Sequence, residues 1–164
     1  MDETLTDPDG WRRLHPASRT PSMAGSALVA SAAAALAGFF ALGFVPSVLT
    51  RSALHLLAVV AAGLLGALVG RARWRRTRWK LDHEGFSVRR GWLWHTEVLI
   101  PRSRVQHLDL ERGPIERQLG LASVVIHTAG TQTPALRQSG LGDADAVALR
   151  DALIPASAQH DDAL

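Results

Sequence analysis

Residues 24–49 read AGSALVASAAAALAGFFALGFVPSVL and residues 52–70 read SALHLLAVVAAGLLGALVG. Between Arg19 and Arg51 lie 31 residues without a charge, and between Arg51 and Arg71 another 19. An uncharged apolar run of ~18 or more residues can cross the hydrocarbon layer as a helix, at about 1.5 Å per residue. Lipid offers backbone amides no partner, so each run must close its own hydrogen bonds. The reading is two membrane-spanning helices, 24–49 and 52–70. The first is rich in Ala, with Phe39, Phe40 and Phe44 supplying much of its transfer energy. Pro46 is expected to end it near the far interface and leave a short turn to Ser52, which makes a tight hairpin. A cleaved signal peptide fits poorly: the apolar region is too long, some 23 residues precede it, and no clear small-x-small site follows.

The rest of the 164-residue chain leaves room for one modest domain. The chain is 47% hydrophobic and 20% charged, with neither Cys nor Tyr. That composition rules out a disulfide framework, a thiolate metal site and a cysteine nucleophile. Eighteen Lys and Arg against fifteen Asp and Glu leave +3, too little to imply nucleic acid.

Where the charges sit says more than their sum. Arg12, Arg13 and Arg19 precede the first span; Arg71, Arg73, Arg75, Arg76, Arg78 and Lys80 follow the second, six cations in ten residues; the turn carries Arg51 alone. Short flanks rich in Lys and Arg stay in the cytoplasm, so both termini are expected there. Trp74 and Trp79 stand among the cations of the 71–80 juxtamembrane linker. Aromatic belts and polybasic runs both belong at such an interface, which makes this cluster a candidate surface for anionic lipid. The positive-inside rule alone would also put the cations there. Nucleic acid is not expected, because the cluster abuts the membrane and continues into no basic domain face.

Small residues recur every fourth position, as Ser26, Ala30, Ala34, Gly38 and as Ala58, Ala62, Gly66, Gly70. Ala34, Gly38, Ala62, Gly66 and Gly70 are the candidates for close helix packing, although an Ala-rich sequence also makes such spacings by chance. His55, in the first turn of the second span, reads as a wet interfacial residue. Ahead of the membrane, 1–23 reads as an acidic, turn-rich leader followed by Trp11-Arg12-Arg13-Leu14-His15-Pro16, which suits either a segment at headgroup level or an ordinary basic linker.

From Trp79 to Pro155 the pattern changes to short alternating runs with turn residues between them. Runs at 79–82, 86–90, 92–100, 105–111 and 121–128 read as strands, with a weaker one near 134–138 and Gly85 in a tight hairpin loop. Leu108 and Leu110 alternate inward, His107 and Asp109 outward, and 115–120 looks like a single helical turn. Asp143 and Asp145 suit a helix start, and Ala146, Leu149 and Leu153 then recur at helical spacing until Pro155. The result is a small meander or barrel with one amphipathic helix to cover it, followed by a polar tail at 156–164.

The order of these elements resembles the YdbS-like bacterial membrane proteins that carry a bacterial pleckstrin-homology (PH-like) domain. The resemblance is carried by Trp11 to Pro16, the two-span hairpin, Trp79-Lys80-Leu81 with Gly85-Phe86, Ile100-Pro101 leading to Val105-Gln106, the run from Gly113 to Ala122, and His127 to Gly130. It covers residues 11–155 and implies a membrane-anchored α+β protein: a transmembrane hairpin, then a small antiparallel PH-like β-barrel over 79–155 capped by a C-terminal helix. It implies no activity. It does imply assembly with a membrane protein, such as a larger one bearing several PH-like domains, and homo-oligomers are open as well. A eukaryotic-style phosphoinositide pocket is not implied, because the first hairpin loop is His83-Glu84-Gly85, although Arg89 and Arg90 lie nearby.

Chemistry is otherwise scarce. His83, His95, His107 and His127 lie in the β region, but none pairs with the local spacing of a metal motif, so solvated strand histidines are the reading and no metal or cofactor is expected. Glu97, Asp109, Glu111 and Glu116 are matched by Arg102, Arg104, Arg112 and Arg117, as on an ordinary salt-bridged surface. There is no GxSxG, P-loop or GxGxxG. The expected function is a non-enzymatic interaction or scaffold module at the cytoplasmic membrane face. The alternative is an accessory subunit of a transporter or envelope-stress system that works through its helices.

Overall fold

The computed structural model describes residues 9–41, 47–91, 94–128 and 136–154. The chain forms two compact units: one combines Met1–Ser18 with Arg75–Leu164, the other is Arg19–Trp74. The second unit is thus inserted in sequence between two parts of the first.

The inserted unit holds α1 (Arg19–Ala41) and most of α2 (Val48–Arg76), both long and apolar enough to cross a membrane. Large side chains on both helices, among them Leu28, Leu36, Phe39, Leu56, Leu64 and Leu68, are exposed, as lipid-facing groups should be. Gly66 and Gly70 are buried. A Cβ at Gly66 would stand 2.5 Å from the Ser26 carbonyl oxygen and 2.8 Å from the Ala30 Cβ; at Gly70 it would stand 2.5 Å from the Ser22 carbonyl. Small residues therefore let the two backbones come together. Further along, the Ser31 hydroxyl donates to the Val59 carbonyl at 3.3 Å, and Gly38 faces the His55 ring. The contact stripe on α2 thus runs 55, 59, 63, 66, 70, not in strict steps of four. Ala34 and Ala62 are partly covered. The expected helix stop at Pro46 lies outside the described residues.

Among the described residues the first unit holds seven strands in two antiparallel sheets, β1-β2-β3-β4 and β5-β6-β7. The strands are β1 (Arg12–Arg13), β2 (Arg78–Leu81), β3 (Gly85–Arg90), β4 (Thr96–Pro101), β5 (Val105–Glu111), β6 (Leu121–Thr128) and β7 (Leu136–Gly142). Helices α3 (Pro114–Gln118) and α4 (Asp143–Leu153) complete it. The expected barrel takes the form of two sheets that do not close on one another among the described residues. Phe86, Val88, Leu121, Val124, Ile126 and Leu141 fill the core, and Ala146, Leu149 and Leu153 of α4 cover it. Asp143 is the first residue of α4 and Gly142 its N-cap. Gly85 is required by close approach: a Cβ there would run into the Ile100 carbonyl. The turn at 129–131, the strand start at 134–135, the stop at Pro155, the tail 156–164 and residues 1–8 of the leader lie outside the described residues.

Two expectations are corrected. Trp11 to Pro16 is not a free linker but part of the folded β unit. Arg12 and Arg13 pair with Trp79 and Arg78, Trp11 and Leu14 are 7% and 6% exposed, and the His15 amide donates to the Gly140 carbonyl at 3.0 Å. Nor is 71–80 a linker, because α2 runs to Arg76 and β2 starts at Arg78.

Candidate functional site

The basic run is divided by the fold. Arg71, Arg73 and Trp74 fall in the helical unit, and residues 75–80 in the β unit. Arg75 and Arg76 occupy the last turn of α2, where cations meet the negative end of the helix dipole and its unpaired carbonyls. Arg78 reaches back to that same end, donating to the Arg75 carbonyl at 2.7 Å and the Thr77 carbonyl at 3.4 Å. Lys80 turns to Asp82 at 3.2 Å.

Trp79 is 2% exposed and belongs to the core, so it cannot serve as a membrane-surface residue. Its ring lies 6.2 Å from that of Phe86 and its indole N–H donates to the Arg13 carbonyl at 3.3 Å. Strand alternation turns it inward while Arg78 and Lys80 turn out. Sequence alone sees only an aromatic among cations.

What the fold does gather is a set of arginines from three elements. Arg78 on β2 is the cross-strand partner of Arg89 on β3. With Arg76, Arg90, His95, Thr96 and Glu97 they line one pocket of about 360 Å³. Arg89 lies 4.0 Å over the Trp11 ring and 2.8 Å from Glu97, a half-exposed pair that contributes about 0–1 kcal/mol. Arg90 spans the two sheets. It donates twice to the Gln138 Oε1, at 3.1 and 2.8 Å, and once to the Arg137 carbonyl at 2.6 Å. Partial burial pushes its guanidinium below the ordinary arginine value, yet an arginine remains charged at neutral pH.

Four arginines and one carboxylate thus line this pocket, with the guanidiniums of Arg78, Arg89 and Arg90 engaged by the protein partners just named. The acidic first loop does not enter it, because the loop joins the far ends of β2 and β3. Asp82 there is occupied with Lys80 and with the amides of Glu84 and Gly85, at 2.9 and 3.2 Å. Its carboxyl is held below the usual range, first by the Lys80 hydrogen bond and then, against the opposing effect of partial desolvation, by those two amides.

A second group went unseen in the sequence. His107 sits directly opposite His127, with Asp109 one pleat further along β5. Local spacing cannot find such a trio, since its members meet only through strand register.

A family model described as "Bacterial PH domain" matches residues 30–156. The chain is also similar to the UPF0699 transmembrane protein YdbS of Bacillus subtilis (strain 168): 32% identical over 100 residues, covering 57% of this chain and 60% of that relative. The match thus spans less than two thirds of the relative's length. No solved structure matches significantly.

Proposed function

Because this chain belongs to the bacterial PH-domain family and is a membrane protein, we propose that it is a non-enzymatic, membrane-anchored interaction module. It holds its PH-like domain at the cytoplasmic face of the plasma membrane, with both termini in the cytoplasm. One observation carries the reading: β1 and β2 are paired neighbours, yet the whole hairpin lies between them in sequence. Ser18 leads straight into α1 and only Thr77 separates α2 from β2. The domain is therefore joined to the hairpin through both of its chain connections.

The cations of 71–78 and the arginine pocket then favour anionic lipid headgroups as the first partner, each cation near such a leaflet contributing about 1 kcal/mol before screening. A protein partner is best served by β4, the longer of the two edge strands of its sheet among the described residues, where Leu99 is 45% exposed and neighbouring Trp94 82%. Open strand edges are templates for β-augmentation. That partner is a membrane protein, such as a larger one with several PH-like domains, or a second copy of this chain.

Cross-linking in native membranes followed by capture of the full chain tests the proposal. A recurring membrane partner or a dimer, weakened by Val98→Pro on β4, is expected. A monomer with no recurring partner overturns it. Exchanging the hairpin for an unrelated one should leave the partner in place; its loss would move the function to the helices, as in a transporter accessory subunit.

A further inference from the structure

We propose that His107, Asp109 and His127 form a three-ligand site for a borderline divalent metal ion of the Zn²⁺ class, with the fourth position left to water. The ion has no role in the membrane-anchoring reading, which stands or falls separately.

All three residues lie on one face of the β5–β6 ladder. His107 and His127 are cross-strand partners, their rings stacked at 4.2 Å with 14° between planes. The Asp109 carboxylate lies 3.2 Å from the His127 Nε2. One candidate donor atom from each residue can be chosen so that all lie within 4.8 Å of one another. In a tetrahedral zinc site, with bonds of about 2.0–2.1 Å, donors stand roughly 3.3 Å apart. The remaining ångström or so is a matter of side-chain rotation. His107 is exposed, and the Asp109 and His127 side chains are 56% and 22% exposed, so neither rotation must displace packed core.

The backbone, by contrast, is fixed. An antiparallel pair holds facing Cα atoms about 4.5–5.5 Å apart, so two imidazoles are presented without an ordering cost. A register shift falls between Val105 and His107, immediately before the pair, and bulges of this kind re-aim side chains at functional sites. Arg137, which shares that face on β7, is engaged at 2.6 Å by Glu111, while the Asp109 carboxylate turns to His127. Two imidazole nitrogens and one carboxylate oxygen favour Zn²⁺, Ni²⁺ or Cu²⁺ over the oxygen-seeking Mg²⁺ and Ca²⁺.

The test titrates ZnCl₂ into the tag-free full chain in detergent by calorimetry, with Co²⁺ absorbance reporting coordination. One ion per chain is expected, with affinity falling on the order of 10-fold or more in His107→Ala and in His127→Ala. Asp109→Asn should weaken it less, and His83→Ala, at a side chain 89% exposed, should leave it unchanged. Each variant is first required to keep the wild-type melting curve in the presence of chelator. Wild-type binding no tighter than that of the His107→Ala/His127→Ala double variant overturns the site, as does equal loss in His83→Ala.

Discussion

Arg90 shows how one side chain can stabilise a fold while lining a pocket. Its guanidinium ties β3 to β7 through Gln138, which is 4% exposed, and the Arg137 carbonyl. Arg90→Ala would strip a buried amide oxygen of two donors, a loss of about 1–3 kcal/mol; chemical denaturation should report it as a lower midpoint at unchanged slope. Arg90→Lys restores the charge without the fork and should recover only part. Asp82 offers the contrasting case of a partly covered carboxylate held by turn amides and Lys80. Its folded-state value is depressed, so its stabilisation is present above the unfolded carboxylate range and is lost as pH falls through the folded value. Asp82→Asn should therefore melt earlier than wild type at neutral pH. The gap should close once acidification passes below the depressed folded-state value, where both forms are neutral. A gap independent of pH would mean that hydrogen-bond geometry alone matters there.

At the level of helices and strands, close packing makes Gly66 and Gly25 unequal. A side chain at Gly66 meets the α1 backbone, whereas a Cβ at Gly25 meets nothing within 4 Å. Gly66→Leu should overpack the helix pair by about 1–3 kcal/mol and lower the melting temperature in detergent; Gly25→Leu should be neutral. The helices were legible because an uncharged run of membrane length admits few alternatives, and α4 because Ala146, Leu149 and Leu153 keep its period. Strand β6 was equally plain, its six residues from Leu121 to Ile126 buried in succession. What was not legible depends on distant pairing. Two residues, Arg12 and Arg13, are too few to show a period, and their partners lie 67 and 65 positions later; Trp11-Arg12-Arg13-Leu14 therefore reads as an interfacial motif until β2 is alongside it. The same holds for Trp79, whose burial follows from alternation within a strand only four residues long, and for His107 and His127, which meet only through register. The arginine pocket was half visible: Arg76 and Arg78 stood out as a run, but only the β2–β3 pairing adds Arg89 and Arg90 to them.

For the whole molecule, the pairing of β1 with β2 has a topological consequence that hydropathy cannot supply. Residues on either side of the hairpin belong to one folded unit, so the chain that leaves it at Arg19 must return to the same side by Arg75. Two crossings satisfy this and one does not. In the proposed reading that side is the cytoplasm, which the positive-inside rule favours by the excess of Arg and Lys flanking the helices over Arg51 at the turn. The absence of native cysteine makes the geometry directly measurable, since each introduced thiol is the only one in the chain. Ser47→Cys, just ahead of α2, should react with a membrane-impermeant maleimide on intact cells. Asp9→Cys, before β1, and Arg104→Cys, between β4 and β5, should react only after the inner face is opened. Labelling of Asp9→Cys and Arg104→Cys from opposite sides would be incompatible with the β1–β2 pair. Labelling of both from outside would keep the fold but reverse its orientation, taking the arginine pocket away from the anionic cytoplasmic leaflet and with it the basis for the proposed lipid contact.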